Sequence, residues 1–323
     1  MNVLGNVVNR LGIVSVLIVA FVVLSFLSPH FLTVSNLTNI MLQVAITTII
    51  GVGMTFVILT GGIDLSVGSI VALCVVVMAV THKALAPGDY GAAQGLVVIA
   101  FPMALSLLAG MTAGLVNGTM VAVARVPAFI MTLGMMSIAR GLAYIISDNQ
   151  TISVFPEGLK YLGDGRVFGF PVLVLASLLI VLLASIVLGQ TMYGRYVYAL
   201  GGNRVALRLS GINATAIEIS VYVISGLSCG IAAIALLGRL NVAQPVAGLG
   251  YELDAIAAVI IGGTSIFGGE GRVFNTLLGA LLVGIIRNGL NLLNVSPNVQ
   301  LVVIGSIIVL AVFYDKLRNR AGA

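Results

Sequence analysis

The chain has 323 residues, 60% hydrophobic and 8% charged, with a mean hydropathy of +1.19. An ordinary soluble domain carries about 25% charged residues, so a soluble fold of this length could not cover so much apolar surface, whereas a bilayer solvates it directly. The net charge of +5 sits mainly between apolar runs, which makes it a topology signal and argues against a nucleic-acid partner.

The apolar runs, in chain order, are Leu11–Leu27, Asn39–Thr60, Ser69–Thr81, Gly95–Ala124, Pro127–Ser147, Pro171–Leu188, Ala216–Gly238, Glu252–Gly262, Val273–Leu293 and Val299–Phe313. They predict an all-α integral membrane protein of about ten transmembrane helices, two of them short or broken, in one transmembrane domain, residues 1–323. The first run lacks a small-x-small cleavage site before Pro29 and reads as an uncleaved span. Ser69–Thr81 and Glu252–Gly262 are too short to cross about 30 Å of hydrocarbon as straight helices. Both adjoin Gly-rich stretches, Gly61–Ser69 and Gly262–Gly271. Irregular backbone at membrane depth is tolerated only where protein or a watery cavity covers it, so these two are expected to be short or broken spans beside a pathway. Val57–Gly62 and Val259–Gly263 echo one another, without by themselves proving an inverted repeat.

With about ten crossings, both termini share a side with Arg10, Arg125, Arg195, Arg204, Arg208, Arg272, Lys316, Arg318 and Arg320, while Lys83, Lys160, Arg166 and Arg239 fall opposite. That bias makes the termini cytoplasmic. The longer outer loops are Thr81–Gln94 and Asp148–Phe170. Cys74 and Cys229 lie inside apolar runs and read as buried, unreactive thiols. His30 and His82 are isolated, so no metal site is expected, and no cofactor.

The inner segment of about 194–213 is the most informative. Gly201 and Gly202 break the chain, Asn203 can N-cap a helix of about two turns that includes Ala206, Leu207 and Ser210, and Gly211 is a C-terminal stop. A short helix held between two spans is a lever that a partner can grip. The bland alternative is a positively charged loop that only sets topology.

This segment resembles the cytoplasmic coupling segment of bacterial ABC importer permeases of the ribose/xylose/arabinose/galactoside class. Gly51–Ser69 is similar to that family's N-terminal signature and Gly250–Ser265 to its C-terminal one. Ala243-Gln244-Pro245 and Asn288-Gly289-Leu290-Asn291 look most like ribose permeases. The resemblance covers nearly the whole chain. It implies a fold similar to the cobalamin importer permease and a place in the bacterial inner membrane. It also implies a cytoplasmic ABC ATPase, a periplasmic sugar-binding protein, a second permease subunit (a homodimer) and a monosaccharide substrate. Independently, no Gly-x-x-x-x-Gly-Lys-Ser/Thr occurs, so the chain carries no phosphate-binding loop and is not expected to be an enzyme.

Ionisable groups at membrane depth face protein or water. Asp64, Glu252, Asp254, Arg140 and Arg287 are such groups. They either line a polar route or act structurally, Asp64 as a helix cap and Arg287 paired with a carboxylate. Asn288 and Asn291 lie three apart on the ninth span, with Arg287 and Asn294 nearby, and Asn117 is a weaker candidate of the same kind. Amides match sugar hydroxyls and also hold helices together, and both readings stand. Gly110, Gly114 and Gly118 form a stripe suited to close helix packing. The sequence contains no Trp, so strong stacking of a sugar ring is not expected and affinity would reside in the external binding protein. An ion-coupled secondary transporter with a carboxylate relay is the alternative. A passive channel is a third reading.

Overall fold

The computed structural model describes residues 3–85, 95–153 and 155–321. Its elements are α1 (Val3–Leu27), α2 (Val34–Leu59), α3 (Val67–Leu85), α4 (Leu96–Ala122), α5 (Ala128–Ile146), β1 (Ile152–Ser153), α6 (Glu157–Asp164), β2 (Arg166–Val167) and β3 (Phe170–Pro171). They continue with α7 (Val172–Gln190), α8 (Met192–Gly202), α9 (Arg204–Leu209), α10 (Ala214–Leu240), β4 (Val242–Ala243), α11 (Tyr251–Ile261), α12 (Val273–Leu292) and α13 (Pro297–Ala321). Each apolar run of the sequence falls on one of these helices. Among the described residues, 7 helices are long and apolar enough to cross a membrane, and shorter apolar stretches occur at Gly12–Leu27 and Pro297–Leu310.

α2 is the central post, with 94% of its most apolar stretch buried, against 28% for α4, 22% for α5 and 28% for α7. The outer helices therefore present Leu, Ile and Phe side chains outward, as at Leu179, Leu182 and Leu183 of α7. In water such a continuous apolar surface would drive association, whereas lipid tails cover it.

The tightest helix contact is α4 on α10. A Cβ at Gly110 would collide with the Gly226 carbonyl, one at Gly114 with the Tyr222 carbonyl, and one at Gly118 would lie 2.8 Å from the Ile219 Cα. The glycine stripe is thus a seam where two backbones touch, which is how membrane helices gain dispersion contacts without a hydrophobic drive between them.

The two runs expected to be short behave differently. α11 is an 11-residue helix, about half the length a crossing needs. Ser69–Thr81 grows into the 19-residue α3, because its first turn starts at Val67 and its last turn recruits His82 and Lys83. The irregular stretch before it, residues 60–66, remains. The sequence echo has a physical basis. α2 ends with Gly61 at φ +80 and α11 ends with Gly263 at φ +83. In α2 the Gly61 and Gly62 amides donate to the carbonyls of Ile58 and Val57 (2.9 and 3.1 Å), and in α11 Gly263 and Thr264 donate to Ile260 and Val259 (2.8 and 3.2 Å). Each is the paired-bond C-terminal motif that requires a left-handed residue.

One end of the bundle carries α6 and the two strand pairs. β1 pairs antiparallel with β4, Ile152 opposite Ala243, and β2 pairs with β3. The expected outer loop Asp148–Phe170 is therefore structured over its described residues. Of the other expected outer loop, Thr81–Gln94, residues 86–94 lie outside the described residues. Cys74 and Cys229 are buried and unpaired as a disulfide.

Candidate functional site

At the end of the bundle opposite the strand pairs lies a basic face built around α8, α9 and the turn between α4 and α5. The expected two-turn helix is present as α9. The Asn203 side chain accepts from the Ala206 amide at 2.9 Å, satisfying one of the free donors at the helix start. Ser210 closes the other end and Gly211 turns the chain at φ +79. The preceding stretch differs from its expectation. Residues 192–202 are helical, so Gly201 and Gly202 end a helix instead of interrupting a loop. Gly201 is there for contact: a Cβ would collide with the Leu59 carbonyl and come within 2.5 Å of the Gly269 amide.

This contact belongs to a knot of backbone. The Gly269 amide donates to the Leu59 carbonyl at 2.9 Å. Gly268, at φ +85, lies where a Cβ would come 2.9 Å from the Gly61 amide and 3.1 Å from the Gly201 Cα. The ends of α2, α8 and the α11–α12 loop therefore meet with no side chains between them. Tyr198 of α8 donates from its hydroxyl to the Gly271 carbonyl at 2.8 Å, and Tyr193 shares a 2.6 Å hydrogen bond with Ser220 of α10.

α9 itself is bolted to α10. Arg204 makes a two-pronged ion pair with Glu218, one prong at 2.9 Å, and two parallel bonds fix orientation as well as distance. Leu207 is buried with Leu200 and Ala214, which makes it an anchor turned inward. The opposite side of α9 is open, with Val205 66% and Leu209 84% exposed.

Deeper in the bundle, the polar residues singled out in the sequence fall into four groups. Asp64 and Asn117 are brought together. Asp64 accepts from the Ser66 amide (3.0 Å) and hydroxyl (2.5 Å) and from the Ser225 hydroxyl (2.9 Å), and Asn117 donates to Ser66 at 2.9 Å. Thr132 adds a 3.2 Å bond to the Ile63 carbonyl. Asp64 and Asn117 are both fully buried, so the network pins the irregular 60–66 stretch to α4, α5 and α10.

Glu252 stands beside a second irregular stretch, residues 244–250 between β4 and α11. A Cβ at Gly68 would collide with the Glu252 carboxylate and the Gly248 carbonyl, so the start of α3 and the approach to α11 touch backbone to backbone. Arg140 donates to the carbonyls of Pro245 and Ala247 at 2.7 and 2.9 Å, and it attracts Glu252 electrostatically. The two irregular stretches therefore meet at the helix starts of α3 and α11.

Asp254 forms the third group, an ion pair with Arg287 at 2.6 Å in which the carboxylate side chain is 4% exposed. Removing one partner of a buried pair strands the other, at a cost of roughly 3–5 kcal/mol. Arg287→Leu is accordingly expected to lower the thermal midpoint of the purified protein sharply. Asp254→Asn combined with Arg287→Gln should recover most of the loss. Equal losses in the single and double variants would show that the pair does not act as a unit.

Asn288 and Asn291 lie apart from these. Asn288 exchanges two hydrogen bonds with Asn36 of α2, at 3.0 and 2.8 Å. Asn291 accepts from Gln300 of α13 at 2.7 Å. Sequence reasoning missed Asn36, Ser66, Ser225, Gln300 and Glu218. Glu218 had a signal, a lone acid four residues into a helix that follows a run of arginines. The others are polar residues within or beside apolar segments, whose partners lie on other segments of the chain, and had none. Among the described residues, no three His, Cys, Asp or Glu side chains gather as metal ligands.

A bundle of apolar helices interrupted at depth by pinned, polar breaks, with a bolted-on helix at its basic end, defines a multi-pass membrane permease. The profile of the family described as "Branched-chain amino acid transport system / permease component" matches residues 36–312. The chain belongs to that family. It is 46% identical over 308 residues to the ribose import permease protein RbsC of Escherichia coli (strain K12), covering 94% of this chain and 92% of that one. It is 40% identical over 320 residues to RbsC of Bacillus subtilis (strain 168), 97% and 95% covered. It is 35% identical over 325 residues to the L-arabinose transport system permease protein AraH of Escherichia coli (strain K12), 98% and 93% covered. These relatives are transport permeases and not enzymes. No solved structure matches the chain.

Proposed function

We propose that this chain is the membrane-spanning subunit of an ATP-driven monosaccharide importer, with ribose as the first candidate sugar. In this reading a separate cytoplasmic ABC ATPase grips α9, a periplasmic sugar-binding protein docks on the end that carries α6 and the strand pairs, and a second copy of the chain completes the route. The protein sits in the bacterial inner membrane with both termini in the cytoplasm, in keeping with the arginine bias. The likeness to the cobalamin importer permease is part of the same reading.

The observation that carries it is the construction of α9. A loop that only sets topology needs positive charge. It needs neither a cap at each end, nor a buried anchor at Leu207, nor a two-pronged bond to α10. Gly201, Gly202, Asn203, Ala206, Leu207, Ser210 and Gly211 are the proposed coupling residues. Force on α9 passes through Glu218 to α10, and through α8 and the Gly201 contact to the end of α2. Asp64, Asn117, Glu252, Asp254, Asn288 and Asn291 are the proposed polar shell of the route, with Asp64 and Asn117 supporting its broken helix from behind. The absence of Trp fits a route that binds sugar weakly and releases it.

Replacing Val205 and Leu209 together by Asp is expected to leave insertion intact and to cut sugar-stimulated ATP hydrolysis by the assembled importer at least about tenfold, since fully burying a Val or Leu side chain is worth about 1.5–3 kcal/mol. Unchanged stimulation would overturn the placement of the interface on α9.

An ion-coupled mechanism has one observation in its favour. Asp64 is a fully buried carboxylate whose partners are hydroxyls and an amide, with no cation paired to it among the described residues. Intramembrane carboxylates of that kind serve as ion or proton relays elsewhere.

A further inference from the structure

We propose that the cavity between α9, α10 and the α4–α5 turn is a binding site for a phosphate-bearing anion. The cavity holds about 500 Å³ and is lined by Arg125, Arg204, Arg208, Glu218, Tyr222 and the 60–62 stretch, room enough for a phosphate group with a small organic substituent. Its charge is unbalanced. Arg204 is neutralised by Glu218, while Arg125 and Arg208 have no ion pair among the described residues. Two uncompensated guanidinium groups therefore face one space from different elements.

Two further observations mark the cavity as more than a patch of surface cations. Tyr222 is 1% exposed, yet its hydroxyl has no hydrogen-bond partner. A buried hydroxyl left unpaired is costly to the fold, and this one lies against the cavity wall, where a Cβ on Gly62 would come within 2.6 Å of it. Arg125 is held at φ +58, a left-handed conformation that is uncommon for a residue other than glycine. It stands in the short turn before Pro127, which starts α5.

The donor set selects the chemistry. Guanidinium forks match the oxygens of phosphate, and a phosphate has enough acceptor oxygens to engage two arginines and a tyrosine hydroxyl at once. A phosphate seated here would tie the α4–α5 turn to α9, immediately beside the Arg204–Glu218 bond, and so would resist movement of α9. The same chemistry is offered by a soluble phosphorylated solute and by an anionic lipid headgroup.

The test uses the full chain in nanodiscs. In phosphatidylcholine alone, equilibrium binding of radiolabelled inorganic phosphate probes the soluble source. In phosphatidylcholine with phosphatidylglycerol, lipid retained on the protein in native mass spectrometry probes the headgroup. Arg125→Gln and Arg208→Gln are each expected to weaken binding by about tenfold or more, and Tyr222→Phe, which keeps the packing and removes one hydroxyl, by roughly threefold to tenfold. Variant-sensitive binding in either arm supports the site and names its source. Binding in neither arm, or binding that all three variants leave unchanged, overturns it.

Discussion

Gly114→Leu is expected to eliminate folded protein from the membrane, the largest stability effect of any substitution considered. A side chain at this position meets the backbone of α10 at the Tyr222 carbonyl and the Val223 Cα, not the tip of a flexible group that could move aside. Overpacking a well-filled core costs about 1–3 kcal/mol when neighbours can adjust. Here the neighbours are helix backbone, so α4 and α10 would have to separate along the whole seam from Gly110 to Gly118. The measurement is the yield of monodisperse protein after extraction in mild detergent. Gly141→Leu is the control, because a Cβ at that position of α5 meets nothing within 4 Å. The control should accumulate normally. Equal yields of the two variants would mean that the glycine seam does not set the helix separation.

The second large effect concerns coupling. Gly211→Pro is expected to leave insertion and folding of the spans intact and to reduce sugar-stimulated ATP hydrolysis to the unstimulated level. Gly211 sits at φ +79, whereas proline is fixed near φ −65°. The substitution also removes the amide that donates to the Arg208 carbonyl at 3.0 Å. The chain leaving α9 must then take another direction, and the Arg204–Glu218 alignment is lost with it. Asn203→Leu acts on the other end of the same helix by removing its cap, worth about 1 kcal/mol, so its effect should be in the same direction and smaller. Normal stimulation in both variants would show that α9 is not the coupling element.

α9 was legible in the sequence because every signal that shapes it is local. Asn203 caps a donor three residues on, and Gly211 supplies a left-handed turn at the helix end. The seam of Gly110, Gly114 and Gly118 was legible for the same reason, since a four-residue period places them on one stripe. α8 was not legible. Two consecutive glycines read as a chain break, but Gly201 is required by the Leu59 carbonyl, far away in the chain. The Asn36–Asn288 pair spans 252 residues, and nothing near Asn36 announces its partner. The extra length of α3 was hidden because its last turn includes His82 and Lys83, and an apolar run stops at the first polar side chain even where the helix continues. The Asp254–Arg287 pair lay between these cases: a charged residue at depth implies a partner, but the choice among nearby carboxylates needed the packing of α11 on α12.

The proposed importer divides its labour between a gate in this chain and a motor in another. Uptake of labelled ribose into proteoliposomes tests that division most directly. The chain would be reconstituted with its ATPase and binding protein, and alone under an imposed proton or sodium gradient. The expected result is accumulation that requires ATP, the ATPase and the binding protein together, with none from the chain alone under either gradient. Gradient-driven accumulation by the chain alone would contradict the account and would make Asp64 the first residue to examine as an ion relay.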